Sequence, residues 1–284
     1  MRIAGAPISW GVCEGPDWGF QLQPDRVLRE MREVGLSATE FGPQGWLPEA
    51  PADRASVLAE AGLAAVGAFV PVLLHVADHD PLPGVDAELD AFDAAGGDVL
   101  VLAAATGTDG YDARPELSSD EWARLLGNLD RLAEHARSRG ITPSLHPHVG
   151  TLVETFADVQ RVLDGTDVPL CLDTGHLQIG GTDPAELARA HAARISHVHA
   201  KDVRADLAAK VQSGELTYTD AVRAGMYVPL GDGDVDLPAI ASALQGVDYD
   251  GWWVLEQDTI LAGEPEGEGP VADVRDSLAH LRAL

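Results

Sequence analysis

The sequence predicts an α/β fold, a (βα)8 TIM barrel that forms one domain over residues 1–284. Three observations favour this fold. The length of 284 residues suits such barrels, which are typically about 250 residues long. Short apolar runs alternate along the whole chain with longer amphipathic runs, which is typical of repeated strand–helix units. Eight such pairs follow one another, and eight pairs close a barrel.

The predicted strands are short apolar runs. They are Ile3–Ser9, Ala38–Phe41, Ala64–Leu74, Val99–Ala104, Thr142–His146, Pro169–Leu172, Ile195–His199 and Trp252–Leu255. The predicted helices show the 3.6-residue period of an amphipathic helix. They are Pro24–Val34, Ala52–Ala61, Val85–Ala95, Ser118–Ser138, Phe156–Leu163, Pro184–Ala192, Leu237–Leu244 and Val271–Leu281. Glycines at 35, 62, 96 and 140 follow helical runs, where a left-handed residue commonly ends a helix.

A short helical insertion is predicted after the seventh strand. The interval from Asp202 to Gly233 is too long for an ordinary connection between a strand and a helix. Two stretches within it, Ala205–Val211 and Thr219–Ala224, have helical patterns. We therefore expect a lid-like segment over the top of the barrel.

The charge and composition exclude several classes of partner. The chain has 19 Lys and Arg against 46 Asp and Glu, a net charge of −27, so we expect neither nucleic acid nor anionic lipid as a partner. No apolar run approaches the roughly 18 residues of a membrane span, and the amino terminus resembles a first strand rather than a secretion signal. A cytoplasmic protein is therefore expected, with Cys13 and Cys171 as ordinary buried thiols. The sequence leaves open whether the chain forms a homo-oligomer.

Polar residues that bind metals are concentrated at the predicted strand ends. Six of the 10 histidines lie there. They are His75, His146, His148, His176, His197 and His199. Asp173 closes the sixth strand and Glu256 the eighth. Strand ends of a (βα)8 barrel converge on one face, so these side chains are expected to meet around one small-molecule site.

The spacing of the histidines predicts a metal centre. His197 and His199 are two residues apart, so both imidazoles lie on the same face of a strand and point into the barrel. His146 and His148 repeat this spacing at the end of the fifth strand. Imidazoles together with carboxylates favour a divalent transition metal such as Mn²⁺, Co²⁺, Zn²⁺ or Fe²⁺ over Mg²⁺ or Ca²⁺.

Several of these residues also have an ordinary structural explanation. His75 and His148 are equally well interpreted as core or surface histidines. His176 is a second ligand, a substrate contact or a helix cap, and the substrate contact is favoured. Lys201 either belongs to the site or forms an ion pair with Asp202.

Six short segments carry a family signature. They are Ala6–Val12 (APISWGV), His146–Thr151 (HPHVGT), Asp173–His176 (DTGH), His197–Asp202 (HVHAKD), Gly231–Gly233 (GDG) and Leu255–Asp258 (LEQD). With these segments the chain resembles the xylose isomerase-like TIM-barrel superfamily over nearly its whole length. The first two segments make it most similar to the inosose dehydratase branch.

The resemblance implies a divalent metal, Mn²⁺, Co²⁺ or Zn²⁺, held by one ligand from each of strands five to eight. Asp173, His199 and Glu256 match the family positions, and His146 is the fourth. Sugar epimerases of the superfamily generally have a glutamate at the position of His146. An epimerisation that uses two carboxylate bases would therefore lack one of them in this chain.

The resemblance also implies an activity, the dehydration of a keto-inositol, 2-keto-myo-inositol (scyllo-inosose), to a dione in inositol catabolism. The metal is expected to stabilise the charge that builds on the ketone oxygen as the α-proton leaves, before the β-hydroxyl is lost. Glu256 or His146 is the expected base, and His176 or Lys201 is expected to stabilise the enediolate or protonate the leaving hydroxyl. The expected substrate contacts are Trp10, His75, His148 and His197.

Two other functions stay open. A metal-dependent isomerase or epimerase of inososes or ketoses would use the same metal and enediolate but return the proton instead of expelling water. A non-catalytic sugar-binding barrel would keep the pocket without the chemistry, and the clustered ligands argue against it.

Overall fold

Eight parallel strands form a nearly closed barrel in the structure, a computed structural model that describes residues 1–284. The strands are β1 (Arg2–Gly5), β2 (Ala38–Thr39), β3 (Ala64–Ala65 and Gly67–Val72), β4 (Val99–Ala104), β5 (Thr142–Leu145), β6 (Leu170–Asp173), β7 (Ile195–Ala200) and β8 (Trp252–Leu255). The first segment of β3 pairs with β2 and the second with β4, so β3 links the two ends of the sheet. The predicted (βα)8 barrel is confirmed.

Helices surround the barrel. They are α1 (Pro24–Glu33), α2 (Pro51–Ala61), α3 (Leu82–Ala95), α4 (Ser119–Ser138), α5 (Phe156–Gly165), α6 (Thr174–Ile179), α7 (Pro184–His191), α8 (Ala205–Gln212), α9 (Tyr218–Arg223), α10 (Leu237–Gln245) and α11 (Val271–Leu281). Ser118 and Thr155 begin α4 and α5 with capping boxes. None of the helices combines the length and the apolar character that a membrane span requires.

The predicted insertion after β7 is confirmed. It consists of α8 and α9 between two short strands, Asp202–Val203 and Tyr227–Val228, which pair with each other antiparallel. The side chain of Thr217 accepts a hydrogen bond from the backbone of Asp220 and so begins α9. Because the short strand pair joins both ends of the insertion, α8 and α9 are anchored beside the carboxyl end of β7.

Two apolar clusters separate the inside of the barrel from its outside. The larger packs between the strands and the helices, and it includes Leu100 and Leu102 of β4. The smaller fills the barrel interior with short side chains, including Val99 and Val101 of the same strand. Successive side chains of a strand point to opposite faces of the sheet. Each strand residue therefore faces either the barrel interior or the surrounding helices.

Four predicted strands are too long. The second ends at Thr39 rather than Phe41 and the fifth at Leu145 rather than His146. The first was expected to reach Ser9, but β1 ends at Gly5 and Pro7–Trp10 forms one turn of 3-10 helix. Proline has no backbone N–H to donate to a neighbouring strand, and the N–H of Ser9 turns back to the carbonyl of Ala6 at 3.1 Å. The third strand is interrupted at Val66 and ends at Val72 rather than Leu74.

Candidate active site

The carboxyl ends of β5 to β8 bring His146, Asp173, His199 and Glu256 to one place. Asp173 ends β6 and is the register partner of His199 on β7. His199 also pairs with Val254 of β8, whose side chain belongs to the inner cluster, and Glu256 lies two residues further on the same face. His146 immediately follows β5. All four side chains are buried.

The distances between these side chains show that they form one cluster. Nδ1 of His199 lies 3.0 Å from Oε2 of Glu256 and 3.6 Å from Oδ2 of Asp173. Nε2 of His146 lies 2.9 Å from the same oxygen of Asp173. Donor atoms of Asp173, His199 and Glu256 all lie within 4.8 Å of one another. The structure therefore brings together the four residues predicted as ligands.

A divalent cation fits this cluster. Nδ1 of His199 is buried and has no hydrogen-bond partner, although it faces the carboxylates of Asp173 and Glu256. A nitrogen lone pair that faces two carboxylates is repelled by them unless a proton or a cation lies between. The mixture of imidazole nitrogens and carboxylate oxygens suits a transition metal better than Ca²⁺ or Mg²⁺.

The two carboxylates are held in their ionised form. Burial raises the pKa of Asp173, but the charge of Lys201, with a hydrogen bond from His146, lowers it well below its usual value. Burial also raises the pKa of Glu256, and neighbouring positive charge, including that of Lys201, outweighs that effect and lowers it. Both groups therefore offer negative oxygens to a cation at neutral pH.

Lys201 connects this cluster to a third carboxylate. Its Nζ lies 2.6 Å from Oδ1 of Asp258, 3.1 Å from Oε2 of Glu256 and 3.4 Å from Oδ2 of Asp173. Burial lowers the pKa of Lys201, but the charges of these carboxylates raise it well above its usual value. A charged ammonium group is therefore present at the bottom of the site.

The alternative prediction for Lys201, an ion pair with Asp202, is wrong. Asp202 accepts hydrogen bonds from the backbone N–H groups of Gly231, Gly233 and Val235 at 2.8–3.0 Å. A Cβ at Gly233 would lie 2.2 Å from Oδ1 of Asp202, so this turn requires glycine. The carboxylate of Asp202 therefore stabilises the turn that precedes α10 and does not pair with a charged side chain.

A cavity opens beside the cluster at the carboxyl ends of the strands. Its polar lining includes Glu14, Glu40, His146, His148, His199, Lys201, Glu256 and Asp258. Its aromatic lining consists of Trp18, Phe69, Tyr111 and Tyr218. Tyr218 comes from α9 of the insertion and donates a hydrogen bond to Asp258. Aromatic walls with a few convergent polar groups are typical of small-molecule sites.

The rings of His148 and His176 contact each other at the edge of the cavity, with centres 3.6 Å apart and planes tilted by 33°. His148 lines the cavity and donates from Nδ1 to the carbonyl of Val149 at 2.6 Å. His176 lies behind it, and its Nε2 is 3.2 Å from Nζ of Lys201. Burial lowers the pKa of both rings well below its usual value, which keeps them neutral at pH 7.

Three predicted substrate contacts do not line the cavity. Trp10 is fully buried in the apolar core and donates from Nε1 to Glu30 at 2.9 Å. His75 lies in the loop after β3, where its carbonyl accepts a hydrogen bond from Arg124. His197 points into the barrel below the cavity and contacts Glu40. One expected buried thiol, Cys13, is only partly buried and lines the cavity.

Glu40, Asp258 and Tyr218 line the cavity but are not among the predicted site residues. Glu40 immediately follows β2 in the structure but lies inside the predicted second strand, Ala38–Phe41, so it does not stand out as a strand-end carboxylate as Asp173 and Glu256 do. Asp258 lies two residues beyond Glu256 and shares its period-two pattern. Nothing in the sequence points to Tyr218, because the path of the insertion decides where its ring lies.

Comparison with known proteins identifies the family. The model of the xylose isomerase-like TIM barrel matches residues 28–284. The chain belongs to the xylose isomerase-like TIM-barrel family. Within this family, the chain is 35% identical to the inosose dehydratase of Geobacillus kaustophilus (strain HTA426), over 92% of this chain and 89% of the relative. It is also 34% identical to the rhizopine catabolism protein MocC of Rhizobium meliloti, over 91% of this chain and 82% of the relative.

Solved structures of other proteins share the fold. The IolI protein with a bound zinc atom is similar with a TM-score of 0.74 and 16% identity, covering 99% of this chain and 98% of IolI. L-ribulose 3-epimerase gives a TM-score of 0.70 with 19% identity, covering 99% of this chain and 93% of the epimerase. At such identities the likeness concerns the barrel and not the reaction.

Proposed function

We propose that the protein is a metal-dependent hydro-lyase that dehydrates 2-keto-myo-inositol to a dione in inositol catabolism. One observation carries the proposal. His146, Asp173, His199 and Glu256 meet beside a polar, aromatic-walled cavity in a chain 35% identical to an inosose dehydratase. The reaction removes the proton α to the ketone and expels the β-hydroxyl, so that one substrate molecule gives one dione and one water.

His146, Asp173, His199 and Glu256 would hold one divalent transition metal, Mn²⁺, Co²⁺ or Zn²⁺. When bound, such an ion supplies Lewis-acid stabilisation of the negative charge that develops on a carbonyl oxygen. The donor set supports this assignment because it includes imidazoles and because Nδ1 of His199, which has no hydrogen-bond partner, faces two carboxylates.

Glu256 is the better supported of the two expected bases. Its carboxylate is ionised and lines the cavity, where it can take the α-proton. His146 also lines the cavity, but its Nε2 is engaged by Asp173 at 2.9 Å. We therefore assign proton removal to Glu256 and the metal-binding role alone to His146.

Lys201 is the better supported acid. It lines the cavity with a charged ammonium group, which can stabilise the enediolate and donate a proton to the leaving hydroxyl. His176 does not line the cavity and instead lies 3.2 Å from Nζ of Lys201 through its Nε2. In this assignment His176 orients the ammonium group rather than touching the substrate.

The cavity wall supports a cyclic polyol as substrate. Trp18, Phe69 and Tyr218 provide aromatic surface for the apolar side of a cyclitol, while His148 is available for hydroxyl groups. We place the reaction in the cytosol, where unpaired cysteines such as Cys13 and Cys171 remain thiols.

A product assay tests the proposal. The protein is incubated with 2-keto-myo-inositol and Mn²⁺ or Co²⁺, and we expect a dione chromophore and a product lighter by one water. Glu256→Gln should abolish the product while the circular dichroism spectrum is unchanged. Glu266→Gln, in an exposed loop, is the matched control and should keep full activity. Recovery of an isomeric inosose would support an epimerase instead, and absence of both metal binding and turnover would support a non-catalytic sugar-binding barrel.

A further inference from the structure

Glu40 lies beneath the proposed metal ligands and contacts one of them. It follows β2, and 3% of its surface is exposed. Its Oε1 accepts a hydrogen bond from Nε2 of His199 at 3.0 Å and a second from Nε2 of His197 at 2.9 Å. One buried carboxylate oxygen therefore joins the two histidines of β7.

These hydrogen bonds determine which nitrogen of His199 carries its proton. An ionised carboxylate only accepts hydrogen bonds, so Nε2 of His199 must be the donor. In a neutral imidazole the lone pair then lies on Nδ1. Nδ1 is the atom that faces Glu256 at 3.0 Å and Asp173 at 3.6 Å without a hydrogen-bond partner.

His197 keeps Glu40 in this position. It does not line the cavity, and its Nε2 has one contact, the same oxygen of Glu40. Two N–H donors on one oxygen fix the carboxylate more firmly than one would. The period-two spacing of His197 and His199 on β7 is what allows both donors to reach Glu40.

We propose that Glu40 is a positioning residue of the metal centre. Its carboxylate, anchored by His197, fixes the Nε2–H tautomer of His199 and directs the Nδ1 lone pair towards the metal. Partners of this kind orient metal-binding histidines and increase their basicity, and their loss typically weakens metal binding by about 10–100-fold. The inference rests on the metal site of the proposed function, but not on its substrate.

Zn²⁺ affinity measured against a competing chelator tests this role without any turnover. Glu40→Ala should weaken Zn²⁺ binding by about 10–100-fold. Glu40→Gln, which keeps one acceptor oxygen, should lose less, and it replaces the alanine variant if that variant does not fold. Glu30→Gln is the matched control, since Glu30 is a buried carboxylate that bonds Trp10 and Arg26 away from the site. Its Zn²⁺ affinity should equal that of the wild type.

Nitrogen chemical shifts of the histidines provide the second measurement. In the Zn²⁺-loaded protein labelled with ¹⁵N-histidine, His199 should bind zinc through Nδ1 and keep a proton on Nε2, and Glu40→Ala should disturb that pattern. Unchanged Zn²⁺ affinity in Glu40→Ala, or zinc on Nε2 of His199, would overturn the inference. Zn²⁺ binding that depends on Glu40 in a protein without dehydratase activity would support the inference and overturn the proposed function alone.

Discussion

Lys201 and Asp258 form a buried ion pair in which Nζ lies 2.6 Å from Oδ1. The same ammonium group lies within 3.4 Å of carboxylate oxygens of Asp173 and Glu256. Three negative groups thus share one positive charge inside the barrel. Removing one partner of a buried ion pair leaves uncompensated charge, which is more damaging than losing an exposed pair.

Lys201→Met should therefore lower the free energy of unfolding by about 3–5 kcal/mol in the metal-free protein. Added Mn²⁺ should reduce this loss, because a cation at Asp173 and Glu256 replaces part of the missing positive charge. Urea unfolding with and without Mn²⁺ measures both effects. Lys210→Met is the control, since Lys210 is the other lysine and lies only near the exposed Glu215. Equal losses with and without Mn²⁺ would contradict the prediction.

Of two tryptophans near the amino terminus, one should matter for substrate binding and the other for stability. Trp18 lines the cavity and donates a hydrogen bond to the carbonyl of Thr259. Trp10 is buried away from the cavity and donates a hydrogen bond to Glu30. Trp18→Ala should raise KM for the substrate by roughly 5-fold or more, because it removes part of the apolar wall. Trp10→Phe should leave KM unchanged and lower the melting temperature, because Glu30 loses a buried donor. An increase in KM for Trp10→Phe would place Trp10 at the substrate after all.

The fold could be predicted from local hydrophobic patterns because the barrel repeats one unit, a strand followed by a helix. The bounds of β4, β8 and α11 are the predicted ones, since each is a continuous apolar or amphipathic run between clear breaks. The end of β1 was missed because Pro7, an apolar residue, resembles a strand residue in pattern but has no N–H for pairing. His75 was placed at a strand end only because β3 was expected to extend two residues too far.

The site residues that lie at the ends of successive strands could be predicted from the sequence. His146, Asp173, His199 and Glu256 all follow that rule. Glu40 is separated from His199 by 159 residues, and β2 contains only 2, so no local period indicates which way its side chain points. Its contact follows from barrel closure, which brings the end of β2 within reach of β7 across the barrel interior.

Asp158 should make the start of α5 sensitive to acid. Burial raises its pKa, but the hydrogen bonds from Thr155 and the charge of Arg114 lower it below the usual 3.8. A lowered carboxyl pKa stabilises the fold above the usual value and loses that effect as the pH falls through the lowered one. Asp158→Asn should therefore lower the free energy of unfolding by about 1 kcal/mol at pH 7, and by less at pH 3. Urea unfolding at both pH values measures this.

The matched control for Asp158 is Asp164→Asn. Asp164 lies on the same helix, is exposed and accepts only a hydrogen bond from Gln160. Its substitution should change stability by less than about 0.5 kcal/mol at either pH. A deficit in Asp158→Asn that stays constant between the two pH values would show that the carboxylate charge contributes nothing.

The alkylation rate of Cys13 should depend on the pH and on whether the cavity is occupied. Burial, with the charge of Glu14, raises the pKa of its thiol well above the usual 9.0. Only the thiolate reacts with iodoacetamide, so the alkylation rate should rise about tenfold per pH unit from pH 7 to 9 without a plateau. Because Cys13 lines the cavity, saturating 2-keto-myo-inositol should slow the reaction. Cys171 is fully buried, and burial raises its pKa to about 11, so Cys13→Ser should remain unlabelled in the native protein. A rate that levels off near pH 8.5, or one that the substrate leaves unchanged, would contradict this account of the cavity mouth.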